Sequence, residues 1–480
     1  MARRISIDTM GLMSPRSGAA FSTGKRRRPW YYSRPRLLTT CLFFGVLWMW
    51  FNFGGHEVLI PEDSFEYLKD ESLSDILNTT LGFQKILVLN LPFRTDRRDA
   101  MSLSAAVSNI KLEFVDGVTG ESIKKSAYPP PEENTKLLSG IRGSWRTHMN
   151  ALQRVVEQNL TTAFILEDDV DWDIRVRQNL QRFALASRVL SQNNDILSAP
   201  NLKSQIEHRQ NPETEDTAFK IIDTNNLPKQ LPSLSLSKAS KNPHLRNLKH
   251  NPSGATSPYG DPSSWDILWL GHCGAGMPRS PHAPSSKHAR PSTTAANLLL
   301  THPNDPTVPI PKHLKAHPFQ GGPDPLATAY PPHTRIYHRS TGGELCTVGY
   351  AVTQRGARRL LHQFGLAGWN GIFDSELGRW CAGFDPDMGA QFPPTKLAPE
   401  TERKGRKERV CVTSQPPIFA HHHPLQGESD IGGLGGGYAR AYETKYLRYS
   451  VRMNLERLVQ GRVGERELVD QWPDVEENEV

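Results

Sequence analysis

The run Thr161-Thr162-Ala163-Phe164-Ile165-Leu166-Glu167-Asp168-Asp169-Val170 decides the fold. Thr162 to Leu166 is uncharged, too short for a stable helix, and fits a strand buried on both faces. Glu167, Asp168 and Asp169 then stand at its carboxyl end, the edge at which open α/β sheets bind ligands. Three adjacent carboxylates repel one another and stay together only against a cation or a set of donors. Oxygen ligands in that position suit Mg2+ or Mn2+. The plain alternative is a solvated acidic turn that caps a helix beginning near Asp171.

Working outward, Trp145, Met149, Leu152, Val155 and Val156 recur at helical spacing and predict a helix over 144–159 with Ser144 as its cap. Lys85 to Leu91 predicts a buried strand stopped by Pro92, Ala100 to Ile110 a helix, and Lys111 to Val118 a second strand. Strand, helix, strand opens a parallel α/β sheet. Beyond the acidic run, about 190–262 and 275–335 turn to Asn, Pro, Ser and Lys without periodicity and read as long disordered insertions. Core pattern returns as strands at Trp265 to Gly271, Thr347 to Thr353 and Gln415 to Ala420, with a basic helix from Gln354 to Leu361. The tail predicts a basic helix from Tyr438 to Val459 and an acidic end.

The chain has 480 residues and a formal charge of +7, but residues 1–36 hold nine Lys/Arg against one acid. The remainder is therefore close to neutral, which excludes a polyanion-binding body and argues against a nucleic-acid partner. Leu37 to Phe53 is uncharged and just long enough to span a bilayer, with Lys25, Arg26, Arg27 and Arg28 before it. The expected organisation is a basic cytosolic tail (1–36), a transmembrane signal anchor (37–53), a stem (54–82), a catalytic domain (83–435) and a helical and acidic tail (436–480). The topology is single-pass type II, with the body luminal. Asn78-Thr79-Thr80 and Asn159-Leu160-Thr161 are glycan acceptors in such a compartment. Cys273, Cys346, Cys381 and Cys411 are compatible with two disulfides in any of three connectivities, or with four buried thiols.

Asn90-Leu91-Pro92-Phe93-Arg94-Thr95-Asp96-Arg97-Arg98, then Glu113 to Val118, then Gly143 to His148, then Ile165 to Val170 together resemble glycosyltransferase family 25. That family includes bacterial lipooligosaccharide galactosyltransferases and procollagen galactosyltransferases. Trp265 to Gly271 is similar to a later strand of the family, and Gly349 to Val352 with Gly356-Ala357 to the segment after it. The inserts and the His421-His422-His423 run are more similar to fungal members. One departure is Arg146-Thr147, where the family carries a small or apolar residue and Ser before the His.

The resemblance implies a GT-A-like nucleotide-binding α/β domain that moves a sugar, galactose above others, from a UDP-sugar to a hydroxyl of a glycan or glycoprotein in the Golgi or endoplasmic reticulum. It implies Asp168 and Asp169 as ligands of Mn2+ or Mg2+, with Glu167 alongside. Asn90, Arg94 and Arg97 (or Arg98) are the expected nucleotide and diphosphate contacts, since guanidinium forks suit phosphate oxygens. His148, expected in the first turn of its helix, is a candidate to orient substrate. His423 is a candidate to complete the metal shell. Asp374 and Glu376 are the candidate bases for the acceptor proton. Two alternatives stand beside this: a catalytically silent relative that binds a glycan or a partner, and a metal-dependent hydrolase, which would need a further cluster to activate water.

Overall fold

A computed structural model of the chain describes residues 71–191, 231–241, 257–275, 298–315, 322–340, 344–382, 409–424, 429–431 and 443–474. Within it, β1 (Lys85–Asn90) and β3 (Thr162–Glu167) lie side by side and parallel, with Leu87 opposite Ile165. The interiors of both strands, Ile86 to Leu89 and Ala163 to Leu166, are apolar because the sheet is covered on both faces. Ile86, Val88, Phe164 and Leu166 enter one core, whereas Leu87, Leu89, Ala163 and Ile165 enter the other, as strand alternation requires.

β2 (Glu113–Asp116) joins β1 in parallel, and the connecting helix α1 (Thr95–Val107) covers the first face through Met101 and Ala105. Helix α2 (Ser139–Glu157) covers the second face through Trp145, Met149, Leu152 and Val155. It starts at Ser139, so Ser144 is not its cap and His148 sits in mid-helix rather than in the first turn. Gly143 is what lets this extra turn pass the loop after β2: a Cβ there would lie 2.5 Å from the Val118 carbonyl oxygen. Thr147 Oγ1 donates to the Gly143 carbonyl at 2.8 Å and accepts from the Val118 N–H at 3.1 Å.

The other half of the sheet is mixed. β9 (Gly349–Thr353) runs antiparallel to β3 and to β6 (Ile267–Gly271). β10 (Cys411–Gln415), β8 (Arg335–Arg339), β7 (Leu299–His302) and β5 (Ser233–Ser235) extend the sheet, giving the order β2-β1-β3-β9-β6-β10-β8-β7-β5. The expectation of wholly disordered inserts is thus corrected. β5, α4 (Leu236–Lys241), β7 and α5 (Pro325–Ala329) fall in those stretches, with Leu234, Leu236, Leu299, Leu300 and Leu326 buried. Strands of three or four residues show too few repeats for a period to stand out. Leu73, Ile76 and Leu81, in the expected stem, also belong to the first core.

Three further expectations change. β10 ends at Gln415 and a separate β11 (Phe419–His423) carries the histidines, because Pro416 and Pro417 have no N–H to continue a ladder. β4 (Val170–Trp172) pairs antiparallel with β11, so no helix begins at Asp171; α3 (Val176–Leu190) follows later on the first face. The described part of the tail holds β12 (Glu443–Thr444), paired with β11, one short α-helix, α8 (Leu455–Val459), and a 3-10 turn at Glu465–Glu467. No helix among the described residues is long and apolar enough to cross a membrane, and Leu37 to Phe53 lies outside them. The cysteines form Cys273–Cys346 and Cys381–Cys411. The second ties helix α7 (Phe373–Cys381) to β10, and helix α6 (Gln354–His362) follows β9 directly.

Candidate active site

The acidic trio does not face bulk water. The turn between β3 and β4 places Asp168 and Asp169 beside the end of β1 and the first turn of α1. There Asn90 Nδ2 donates to Asp168 Oδ2 at 2.8 Å. One nitrogen of Arg97, Nη1, lies 2.8 Å from Asp168 Oδ1 and 2.7 Å from Asp169 Oδ2. The structure brings Asn90, Asp168 and Arg97 together here. Arg94 reaches the same edge but pairs with Asp96 and with Asp430, and Arg98 stays at the surface over the Phe114 ring.

Strand alternation sorts the three histidines. His421 and His423 share one face of β11, their ring centroids 4.2 Å apart, while His422 turns away to bond Thr444 Oγ1. His421 Nε2 lies 3.1 Å from Asp169 Oδ2. The period of two, applied to the histidine run as a strand, would have paired His421 with His423.

Burial and repulsion from Asp169 push the Asp168 carboxyl up. Burial also acts against an ionised Asp169, but His421 and Arg97 outweigh it and hold that carboxyl well below the usual range. His421 is the mirror case: burial disfavours its cation, and Asp169 more than restores it, so its pKa is raised. Burial leaves His423 neutral, with its pKa lowered to about 3.

Glu167 is half-buried, and Thr347 Oγ1 donates to its Oε1 at 2.7 Å. Thr347 also meets His148 Nε2 at 3.2 Å, and His148 Nδ1 meets Tyr350 OH at 3.1 Å. His148 is thus buried, and its Nε2 also lies 3.6 Å from Glu167 Oε1. Asp374, at the start of α7, accepts from the Cys346 N–H at 2.7 Å and from the Ser375 N–H. Burial first, and Glu167 after it, raise its pKa. Glu376 lies two residues on, about 200° around the helix, where it is buried within 3.8 Å of Arg379. Asp374 and Glu376 therefore do not share one site.

Among the described residues no three His, Cys, Asp or Glu side chains converge as a metal site, and the cation between the two carboxylates is Arg97. Two buried acceptors at this spot, Asp169 Oδ1 and Asn90 Oδ1, have no hydrogen-bond partner. A buried acceptor left unpaired costs about 1–3 kcal/mol, so these oxygens fit a cation or donor that completes the cluster. Carboxylate and amide oxygens suit Mn2+ or Mg2+.

Residues 83–242 match the model of glycosyltransferase family 25 (LPS biosynthesis protein), which bears out the resemblance read from the motifs. Procollagen galactosyltransferase 1-B of Xenopus laevis is 24% identical over 143 residues, 28% of this chain and 23% of the relative. Procollagen galactosyltransferase 2 of Homo sapiens is 26% identical over 113 residues, 21% of this chain and 18% of the relative. A human protein named inactive glycosyltransferase 25 family member 3 is 29% identical over 113 residues, 21% of this chain and 19% of the relative. The alignments thus span about a fifth of the length of these relatives.

Proposed function

We propose that this chain is a metal-dependent galactosyltransferase with a GT-A-like domain, moving galactose from UDP-galactose to a hydroxyl of a glycan or glycoprotein. One observation carries this: the acidic turn is buried against Asn90 and Arg97 with acceptor oxygens left over, at the sheet edge where nucleotides bind. Asp168 and Asp169 would hold Mn2+ or Mg2+, with His421 and His423 alongside; the ion, when bound, supplies positive charge for a departing diphosphate. Arg97 and Arg94 lie where they can meet the diphosphate oxygens once they release their carboxylate partners. Asn90 holds Asp168 in place.

Asp374 takes the proton of the acceptor hydroxyl. Its backbone donors fix its orientation, and its raised pKa makes it a stronger proton acceptor than an ordinary surface carboxylate. Glu167, oriented by Thr347, lines the same cleft and positions the acceptor. The compartment that suits this activity is the Golgi or endoplasmic reticulum, with Leu37 to Phe53 as a single-pass type II anchor. Two disulfides and the exposed sequon residues Asn78 and Asn159 support it.

A second reading has its own support. Arg97 already neutralises both carboxylates, and one similar protein is named inactive, so the chain can instead be a silent glycan-binding relative. Full-length protein incubated with a panel of UDP- and GDP-sugars and Mn2+ separates the two. An enzyme turns over UDP-galactose slowly, and Asp168→Ala and Asp169→Ala abolish the turnover. A folded parent with no turnover on any donor overturns the enzymatic reading.

A further inference from the structure

The turn that carries Asp168 and Asp169 is held from behind by the far end of the chain. Its three backbone carbonyls are all occupied. Arg452 Nη2 donates to the Asp168 carbonyl at 2.7 Å, Arg452 Nε donates to the Val170 carbonyl at 2.9 Å, and the His422 N–H donates to the Asp169 carbonyl at 2.9 Å. One guanidinium thus spans both ends of the turn, a bond pattern that its planar fork permits and a lysine does not.

Arg452 is itself fixed. Its backbone N–H donates to Asp171 Oδ1 at 3.1 Å, and Asp171 Oδ2 accepts from Thr444 Oγ1 at 2.7 Å and from Ser450 Oγ. The Val451 N–H bonds the Trp172 carbonyl at 2.9 Å and the Ile174 N–H bonds the Tyr449 carbonyl at 3.0 Å, so residues 449–452 clamp the end of β4. Arg452 and Asp171 are both buried, and neither reaches the cleft. The guanidinium lies 284 positions from Asp168 along the chain and outside the 83–242 span that matches the family model.

We infer that Arg452 is a positioning residue for the acidic pair: by tying the Asp168 and Val170 carbonyls it fixes how the two carboxylates are presented to the donor and its metal. The inference rests on the proposed function for the ligand and on geometry alone for the clamp. With the carbonyls drawn to one side, the carboxylates stay turned toward Asn90 and Arg97. A residue of this kind, behind the ligands of a metal, typically changes affinity about 10–100-fold when replaced.

The test uses the full-length protein, Arg452→Lys, Arg452→Met and, as a control for general destabilisation, Leu234→Ala at the opposite edge of the sheet. Hydrogen exchange of peptides covering 165–173 is measured alongside the affinity of folded protein for Mn2+ plus UDP. Exchange there should be about tenfold faster or more in Arg452→Met than in Leu234→Ala, and Mn2+·UDP affinity should fall about tenfold or more in both Arg452 variants. Unchanged exchange at 165–173 in Arg452→Met overturns the inference, as does parent-like affinity in a folded Arg452 variant. If the parent itself binds no Mn2+·UDP, the functional reading fails instead, and exchange alone decides for or against the clamp.

Discussion

Of the buried aspartates that pair with arginine among the described residues, Asp305 and the pair Asp168 and Asp169 sit in clusters that differ in whether they are closed. In the first, Asp305 Oδ1 accepts from Arg182 at 3.3 Å and from the Thr307 N–H and hydroxyl, while Asp305 Oδ2 accepts from Arg335 Nε at 2.9 Å. Arg335 continues to the Pro416 carbonyl and Thr307 Oγ1, so no acceptor of Asp305 is left over, and Asp305 is 0% exposed. Burial alone would raise the Asp305 carboxyl, but Arg335 and Arg182 outweigh it and hold it far below its ordinary range. In the second, Asp168 and Asp169 share a nitrogen of Arg97, and Asp169 Oδ1 and Asn90 Oδ1 remain unpaired. The same chemistry makes a staple where it is complete and a binding site where acceptors are left over.

The sharpest way to break the comparison is to remove the arginine from each. Arg335→Met strands a buried carboxylate and should cost about 3–5 kcal/mol in urea unfolding. Arg97→Met should cost less than about 2 kcal/mol, because Asp168 and Asp169 keep Asn90, His421 and contact with the cleft. Equal losses would mean that the acidic turn is a second staple.

A smaller effect belongs to Asp324, a buried carboxyl between the two clusters' chemistry: it lacks an arginine, and burial lifts its pKa from 3.8 to about 6. A raised carboxyl favours the protonated folded state, so this contribution is full below about pH 4 and is lost as pH rises toward 6. The loss is about 3 kcal/mol. Urea midpoints from pH 4 to 7 should show it in the parent and not in Asp324→Asn, which keeps the side-chain acceptor for the Leu326 N–H that caps α5.

Smallest is Thr347→Val, which removes the hydroxyl between Glu167 and His148. It should lower stability by about 1 kcal/mol and raise KM for acceptor more than it lowers kcat. A change confined to kcat would instead place Thr347 in the chemical step.

The first half of the sheet was legible because β1 and β3 are unbroken apolar runs and the carboxylates follow β3 without a gap. Asn90 and Arg97 could be expected at the site because they lie at the end of β1 and the start of α1, beside that turn. Legibility stopped where function depends on distant chain. Arg452 carries no local signal, since its role exists only once the tail is folded along β4. The histidine run was visible, but which of its rings faces the carboxylates is set by the pairing of β11 with β4, and Pro416 and Pro417 obscure that pairing by dividing two strands. Glu376 was grouped with Asp374 by adjacency in sequence, and the helix separates them.

The most direct test of the open cluster as a donor site is calorimetric titration of full-length protein with Mn2+ in the presence and absence of UDP, for the parent and for Asp169→Asn. The account predicts that UDP tightens Mn2+ binding in the parent and that Asp169→Asn, shown to be folded by circular dichroism, loses this coupling. A parent that binds no Mn2+ under either condition, or an Asp169→Asn variant that binds as tightly as the parent, would contradict it.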